Sequence, residues 1–274
     1  KKLGIVTKPV LIGPVSYLLL GKEKEEGFHR IDLIQKIIPV YFEILTALQK
    51  EGAEYIQIDE PFLALNLTTK ERNAITFVYN EINTFFPSLK VILTNYFDCF
   101  GDNLATVLEL PVHTLHLDLV RCPSQLDDIL ESGKLKDNVK LSLGIVDGRN
   151  IWKNDFKKSL ELIQKATDAL GHDRILIAPS CSLIHSPCDL DLETNDAVLT
   201  PEIKQWLAFA KQKLDEIVLL QNLALEEISQ VDSVSFLQNT LANENRKTSK
   251  LIHNEEVKYR VASIKCGDDQ RENA

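Results

Sequence analysis

Tyr55-Ile56-Gln57-Ile58-Asp59-Glu60-Pro61 is a short apolar run that ends on two acids and a proline. Similar runs, rich in Val, Ile and Leu, occupy residues 8–15, 90–96, 114–120, 140–146 and 174–178. Near-continuous apolar runs of this kind suit parallel strands covered on both faces. Between them lie stretches with helical spacing. Residues 33–49 carry Ile34, Ile37, Ile38, Tyr41, Ile44, Leu45 and Leu48, three and four apart on one face, and Gly52 follows as a stop. Residues 69–86, 124–131 and 154–170 fill the same role. The alternation of strand and helix points to an α/β fold with a parallel sheet.

Two architectures fit that alternation. A doubly wound sheet with a nucleotide site wants a glycine-rich turn after an early strand, and neither G-x-G-x-x-G nor G-x-x-x-x-G-K-[ST] occurs here. A (β/α)8 TIM barrel instead wants polar residues at the C-terminal ends of many strands. Asp59-Glu60, Asn95, Asp118, Asp147 and Ser180-Cys181 all fall at or just past such ends. The barrel is the better match. Six of its eight strands are visible, which predicts about two more upstream of Lys1. The chain begins at Lys1 and contains no methionine, and reads as a piece of a longer polypeptide.

After the last strand, Thr200-Pro201-Glu202 reads as a helix start: hydroxyl cap, proline, first-turn acid. One long amphipathic helix is predicted from it, with Trp206, Phe209, Ala210, Leu214, Ile217 and Leu220 on one face. From Asp232 the chain turns polar but stays helical in pattern, and its tail from Cys266 to Asn273 has too little apolar content to pack alone. The expected division is a barrel domain over 1–231, truncated at its start, and a helical interdomain linker over 232–274.

Composition narrows the function classes. An apolar fraction of 44% and a charged fraction of 26% belong to an ordinary globular chain. A net charge of −9 argues against nucleic acid or an anionic membrane as partner. No apolar run is long enough to span a bilayer, and the start lacks the cleavage site of a signal peptide. Five cysteines without framework spacing suggest a reducing compartment over a disulfide scaffold.

Several strings go further. Lys8-Pro9-Val10-Leu11-Ile12-Gly13-Pro14-Val15-Ser16-Tyr17, the run that ends Asp59-Glu60-Pro61, and Leu115-His116-Leu117-Asp118-Leu119-Val120 come in that order. Asp147-Gly148-Arg149-Asn150-Ile151-Trp152 and Ala178-Pro179-Ser180-Cys181-Ser182-Leu183-Ile184-His185-Ser186-Pro187 follow. Together they resemble the N-terminal half of the cobalamin-independent methionine synthases, over essentially the whole chain. The resemblance implies a cytosolic enzyme of two face-to-face barrels, which moves a methyl group from 5-methyltetrahydrofolate polyglutamate to homocysteine. It implies a zinc ion held by a His, two Cys and a Glu of the C-terminal catalytic barrel, the partner of this one in the same polypeptide. It also implies that basic residues near the extreme N-terminus help hold the polyglutamate. By this resemblance the present segment is a non-catalytic barrel, inactive alone, and supplies no zinc ligand.

The candidate residues are weighed against that expectation. His116-x-Asp118 on one strand and Cys181 at the end of another resemble the zinc-binding His-x-Cys and distant Cys of the sister barrel. An aspartate replaces the first cysteine, so the set reads as a relic. Residues two apart on a strand share a face, and His116 and Asp118 can both point inward. Cys181, His185 and Cys188 match no standard zinc spacing. Asp59-Glu60 is the acid/base candidate on local chemistry, though neighbours on a strand face opposite ways and only one can line the interior. Arg149 follows a tight turn and either clamps a substrate carboxylate or, the preferred reading, pairs with a neighbouring acid. Asp59, Glu60 and Arg149 are thus the substrate-binding candidates. Lys22-Glu23-Lys24-Glu25-Glu26 reads as a solvated loop. Two rival functions are a stand-alone barrel that binds without chemistry and a metal-free barrel enzyme like the uroporphyrinogen decarboxylases. The latter wants several arginines at the mouth, and Arg149 stands nearly alone there.

Overall fold

The computed structural model describes residues 4–5, 7–225 and 229–268. In chain order the main elements are β1 (Val10–Ile12), α1 (Pro14–Leu20), α2 (Ile34–Lys50), β2 (Tyr55–Asp59), α3 (Thr69–Phe85) and β3 (Lys90–Thr94). Then come α4 (Leu104–Glu109), β4 (Thr114–Asp118), α5 (Gln125–Ser132), β5 (Lys140–Val146), α6 (Phe156–Leu170) and β6 (Ile175–Pro179). The chain continues through α7 (Pro201–Lys204), α8 (Ala210–Ala224), α9 (Gln230–Thr248) and α10 (Glu255–Ala262). The last residues of the expected linker, 269–274, lie outside the described residues.

All six strands are parallel, and their spatial order is their sequence order. Alternation along the strands shows where the helices lie. Ile56, Ile58, Val91, Leu93, Leu115, Leu117, Leu141 and Leu143 join one core with Val78 and Ile82 of α3, Ile129 of α5 and Ile163 of α6. Their neighbours Gln57, Asp59, Ile92, Thr94, His116 and Ser142 face a cavity on the other side. Helices thus cover one face only. A doubly wound sheet would have them on both, so this is an arc of a singly wound barrel. Among the described residues β1 and β6 end the sheet, and neither has a second neighbour.

Local chemistry explains the element boundaries. Thr68 and Glu71 form a reciprocal capping box that starts α3, with Thr68 N–H donating to the Glu71 carboxylate at 2.7 Å. Gly133, at φ 61°, ends α5 in the left-handed conformation that glycine tolerates. Residues 22–26 are exposed and lie outside any helix or strand, as a solvated loop should.

The single helix expected from Thr200 is corrected to two. Thr200 does cap Ile203 N–H, but α7 stops at Lys204. Trp206, Leu207, Ala208 and Phe209 are four consecutive buried residues, which no helix with one apolar face can accommodate. The turn that ends α7 at Trp206 gives way to an isolated antiparallel bridge between Leu207 and Trp152: Lys153 N–H donates to the Trp206 carbonyl at 2.8 Å, and Ala208 N–H donates to the Ile151 carbonyl at 2.9 Å. When α8 resumes, Leu214 is 55% exposed and has left the predicted face. Helix α9, in the segment read as linker, docks on α6, where Asn239 and Asn243 both donate to the Asn154 carbonyl. Helix α10 buries no residue. No helix is long and apolar enough to cross a membrane, among the described residues.

The cysteine reading gains one unforeseen pair, while Cys181, Cys188 and Cys266 are free. Cys99, in the loop after β3, is disulfide-bonded to Cys122, in the loop after β4. They lie 23 residues apart in sequence, so no local spacing announces the pair.

Candidate functional site

The concave face carries a cavity of about 380 Å³, lined at its rim by Asp59, Thr94, Tyr96, Pro179 and Cys181. Period-two alternation puts Asp59 there and its neighbour Glu60 elsewhere. At the cavity, Lys8 Nζ donates to Gln57 Oε1 at 2.5 Å and Gln57 Nε2 donates to Asp59 Oδ1 at 2.7 Å. Burial raises the Asp59 carboxyl above its usual range, with the Gln57 amide, the Lys8 ammonium and the Thr94 and Tyr96 hydroxyls pulling it back. Tyr96 is pushed up to about 12 by burial and by the Asp59 charge. Burial lowers Lys8, against the pull of Asp59. The sequence reading missed Lys8, Gln57 and Tyr96. Gln57 did leave a signal, as the one polar residue between Ile56 and Ile58.

Glu60 is fully buried on the helix side of the sheet. Its carboxylate accepts from Ser16 N–H at 2.7 Å and Val15 N–H at 3.3 Å, and so closes the first turn of α1. Gly13 makes room for it. A Cβ there would stand 2.0 Å from the Glu60 carboxyl carbon. Burial pushes Glu60 up to about 7. Of the Asp59-Glu60 pair, one lines the interior and the other holds a helix, in line with opposite-facing neighbours.

The three positions read as a degenerate metal set are brought near one another but are individually engaged. His116 Nε2 meets the Ser180 carbonyl at 3.2 Å, and a carbonyl only accepts, so this nitrogen carries the proton. Nδ1 then accepts from the Ser142 hydroxyl at 2.9 Å. Burial pushes His116 down to about 4, so the ring is neutral. Asp118, expected to point inward beside it, is taken up by the backbone of its own loop and of the loop after β3. It accepts from Phe97, Val120 and Arg121 N–H at 2.8, 3.1 and 3.0 Å. Burial pushes the Cys181 thiol up, and its Sγ donates to the Ser182 carbonyl at 3.7 Å. Among the described residues no group of three His, Cys, Asp or Glu side chains is arranged to hold a metal ion. As arranged, the residues present do not fit a zinc site, because each donor already serves a protein group. His185 lies against Phe97, and Cys188 is exposed.

Arg149 departs from the preferred expectation of an ion pair. The nearby Asp147 carboxylate accepts from Arg149 N–H at 2.8 Å and from Asn150 Nδ2 at 2.8 Å, not from the guanidinium. The guanidinium lies instead over the Phe97 ring, 4.6 Å from its centroid. Phe97 itself escaped the sequence reading.

Residues 1–171 match the family model described as the cobalamin-independent synthase, N-terminal domain. A protein of Flavobacterium johnsoniae named 5-methyltetrahydropteroyltriglutamate–homocysteine methyltransferase is 74% identical over 99% of this chain and 35% of its own length. One of the same name from Caulobacter vibrioides is 43% identical over 96% of the chain and 33% of its own length. The chain therefore spans about a third of the curated relatives it matches. A candidate vitamin-B12-independent methionine synthase from Listeria monocytogenes shares the fold with a TM-score of 0.57 at 12% identity, over 81% of this chain and 64% of that one.

Proposed function

The chain belongs to the cobalamin-independent synthase family, in the part described as its N-terminal domain, and on that premise we propose that it is the non-catalytic barrel of a methyltransferase. The full-length enzyme moves a methyl group from a 5-methyltetrahydropteroyl polyglutamate to homocysteine and so makes methionine. The observation that carries the reading is the state of His116, Asp118 and Cys181. Homocysteine becomes a nucleophile only as a thiolate, and its thiol is mostly protonated at neutral pH. Here the histidine has both nitrogens engaged, the aspartate closes its own loop, and the cysteine is held as a thiol. Nothing in this set is free to take a thiol's proton.

Thiol activation then falls to the rest of the polypeptide, where a zinc ion in the C-terminal barrel supplies it by deprotonating the bound thiol. This chain's own work is to hold one wall of the substrate cleft, with residues 1–231 as barrel and 232–274 as the linker toward the catalytic half. The docking of α9 on α6 supports a linker that leaves from a fixed point. We place the enzyme in the cytoplasm, with no nucleic acid or membrane partner, on its acidic charge and the family's soluble chemistry.

The test compares two preparations. The full-length polypeptide is expected to form methionine from the triglutamate donor and homocysteine, and residues 1–274 alone to form none. Turnover by the chain alone overturns the assignment.

A further inference from the structure

Cys99 and Cys122 belong to different loops, yet a disulfide joins them past the C-terminal ends of β3 and β4. The function proposed above gives this bond no work. It is not part of a framework either, since Cys181, Cys188 and Cys266 are free and the last two are exposed. Chains built for oxidising compartments pair their cysteines densely and keep them paired. A single disulfide beside exposed thiols fits a reducing compartment, where such bonds form and open again.

The fold holds the two loops together without the sulfur bond. On one side of Cys99, Phe97 N–H donates to Asp118 Oδ2 at 2.8 Å. On the other, Phe100 N–H donates to Gln125 Oε1 at 2.6 Å. Cys122 N–H donates to the Asp118 carbonyl at 3.0 Å, and β3 and β4 pair up to Thr94 and His116 just below. The two Cα atoms stand 5.3 Å apart, and these hydrogen bonds keep them near that separation when the sulfurs part. Closure is then an intramolecular step between oriented groups, and opening needs no unfolding.

The two sulfurs differ in access. Cys122 is buried and Cys99 half-buried, so a reagent from solution meets Cys99 first. The Ser124 hydroxyl lies 3.7 Å from the Cys122 sulfur. A disulfide sulfur carries no proton, so the hydroxyl is the donor, and it is placed to stabilise the thiolate that departs when the bond opens. The bond also restrains Phe97, two residues before Cys99. Among the described residues Phe97 is the one non-glycine with a positive φ, at 81°. A residue with a Cβ keeps that backbone only where its surroundings impose it. The preceding residue, Tyr96, stands at the rim of the concave cavity, so the state of the bond reaches the cavity mouth.

We propose that Cys99 and Cys122 are a reversible thiol–disulfide pair that stiffens the rim of the concave cavity when oxidised and loosens it when reduced. The oxidant is a small-molecule disulfide. The Cys99 thiolate attacks one of its sulfurs, expels one small thiolate and forms a mixed disulfide. The Cys122 thiolate then attacks the Cys99 sulfur and expels the second. Two electrons pass from the cysteines to the oxidant, and the two cysteine protons end on the two small thiols. An excess of the small thiol runs the same steps backwards.

The experiment uses the full-length polypeptide in glutathione buffers that run from reducing to oxidising and back. Free thiols are capped with one alkylating agent and disulfide thiols, after reduction, with a second of different mass. Peptides carrying Cys99 and Cys122 are then weighed. Both cysteines should convert together, over the same range of buffers in either direction, with circular dichroism unchanged. Amide hydrogen exchange in residues 96–101 should run roughly tenfold faster in the reduced state, as expected when a crosslink is lost and the hydrogen bonds remain. Cys122→Ser should trap Cys99 as a mixed disulfide with glutathione, whereas Cys99→Ser should leave the buried Cys122 unmodified. A pair that stays reduced in every buffer overturns the proposal, as does one that resists reduction until the chain unfolds. Equal exchange in the two states overturns it too, since the bond would then control nothing. None of these measurements depends on methyl transfer, so their failure leaves the enzyme assignment standing.

Discussion

At the scale of single residues, two buried groups titrate in opposite senses. Burial lifts Glu60 to about 7 from an ordinary 4.5, so between those values the folded chain keeps a proton that the unfolded chain has released. Stability from this group is therefore present at low pH and falls as pH rises through that window. His116, pushed from 6.5 down to about 4, has already lost its proton when folded, so its contribution grows as pH rises between those values. Glu216, also lifted to about 7, sides with Glu60. The wild-type profile is a sum of these, and Glu60→Gln isolates one part of it. The stability of Glu60→Gln relative to wild type should rise by about 2–3 kcal/mol between about pH 5 and pH 8. Urea unfolding at both values checks this, and a gap independent of pH refutes it. The carboxylates themselves were legible in the sequence, since Asp59-Glu60 sits at the end of an apolar run. Their division of labour was legible too, because a strand alternates faces. The Phe97 conformation and the partner of Arg149 were not. They depend on loops about fifty residues apart, and no local pattern encodes that meeting.

At the scale of elements, Gly144 shows how tightly the central strands fit. A Cβ at this position of β5 would stand 2.6 Å from the Leu117 carbonyl, 2.9 Å from Ser180 Cα and 2.9 Å from His116 Cε1. Two of those atoms are backbone, so β4 or the start of the loop after β6 would have to move. Gly144→Ala is expected to lose about 2 kcal/mol of stability by overpacking. Thermal or urea unfolding measures the loss, and a variant as stable as wild type would show that the sheet gives way easily here. The strands and most helices could be read from apolar periodicity, because that periodicity is the burial pattern itself. The break between α7 and α8 could not. Four adjacent apolar residues from Trp206 to Phe209 satisfy a loosely drawn helical face, yet in the fold they fill a seam against Ile151 and Lys153. Cys99 and Cys122 escaped for the same reason as Phe97: each loop looks ordinary until the other is beside it.

At the scale of the whole molecule, the single winding of six parallel strands was expected from strand-end polarity and from the missing nucleotide-binding glycines. The structure adds the geometry of the arc. β1 and β6 each leave one side without a hydrogen-bonded neighbour among the described residues. In solution by itself, the 274-residue polypeptide thus presents two rows of backbone donors and acceptors of matching polarity. The outer side of β6 in one copy is a parallel template for the outer side of β1 in the next. Such a match is head to tail, so it recruits a third copy as readily as a second. Light scattering on the isolated polypeptide should show species growing past the dimer as concentration rises, and a sharp monomer at all concentrations would contradict this.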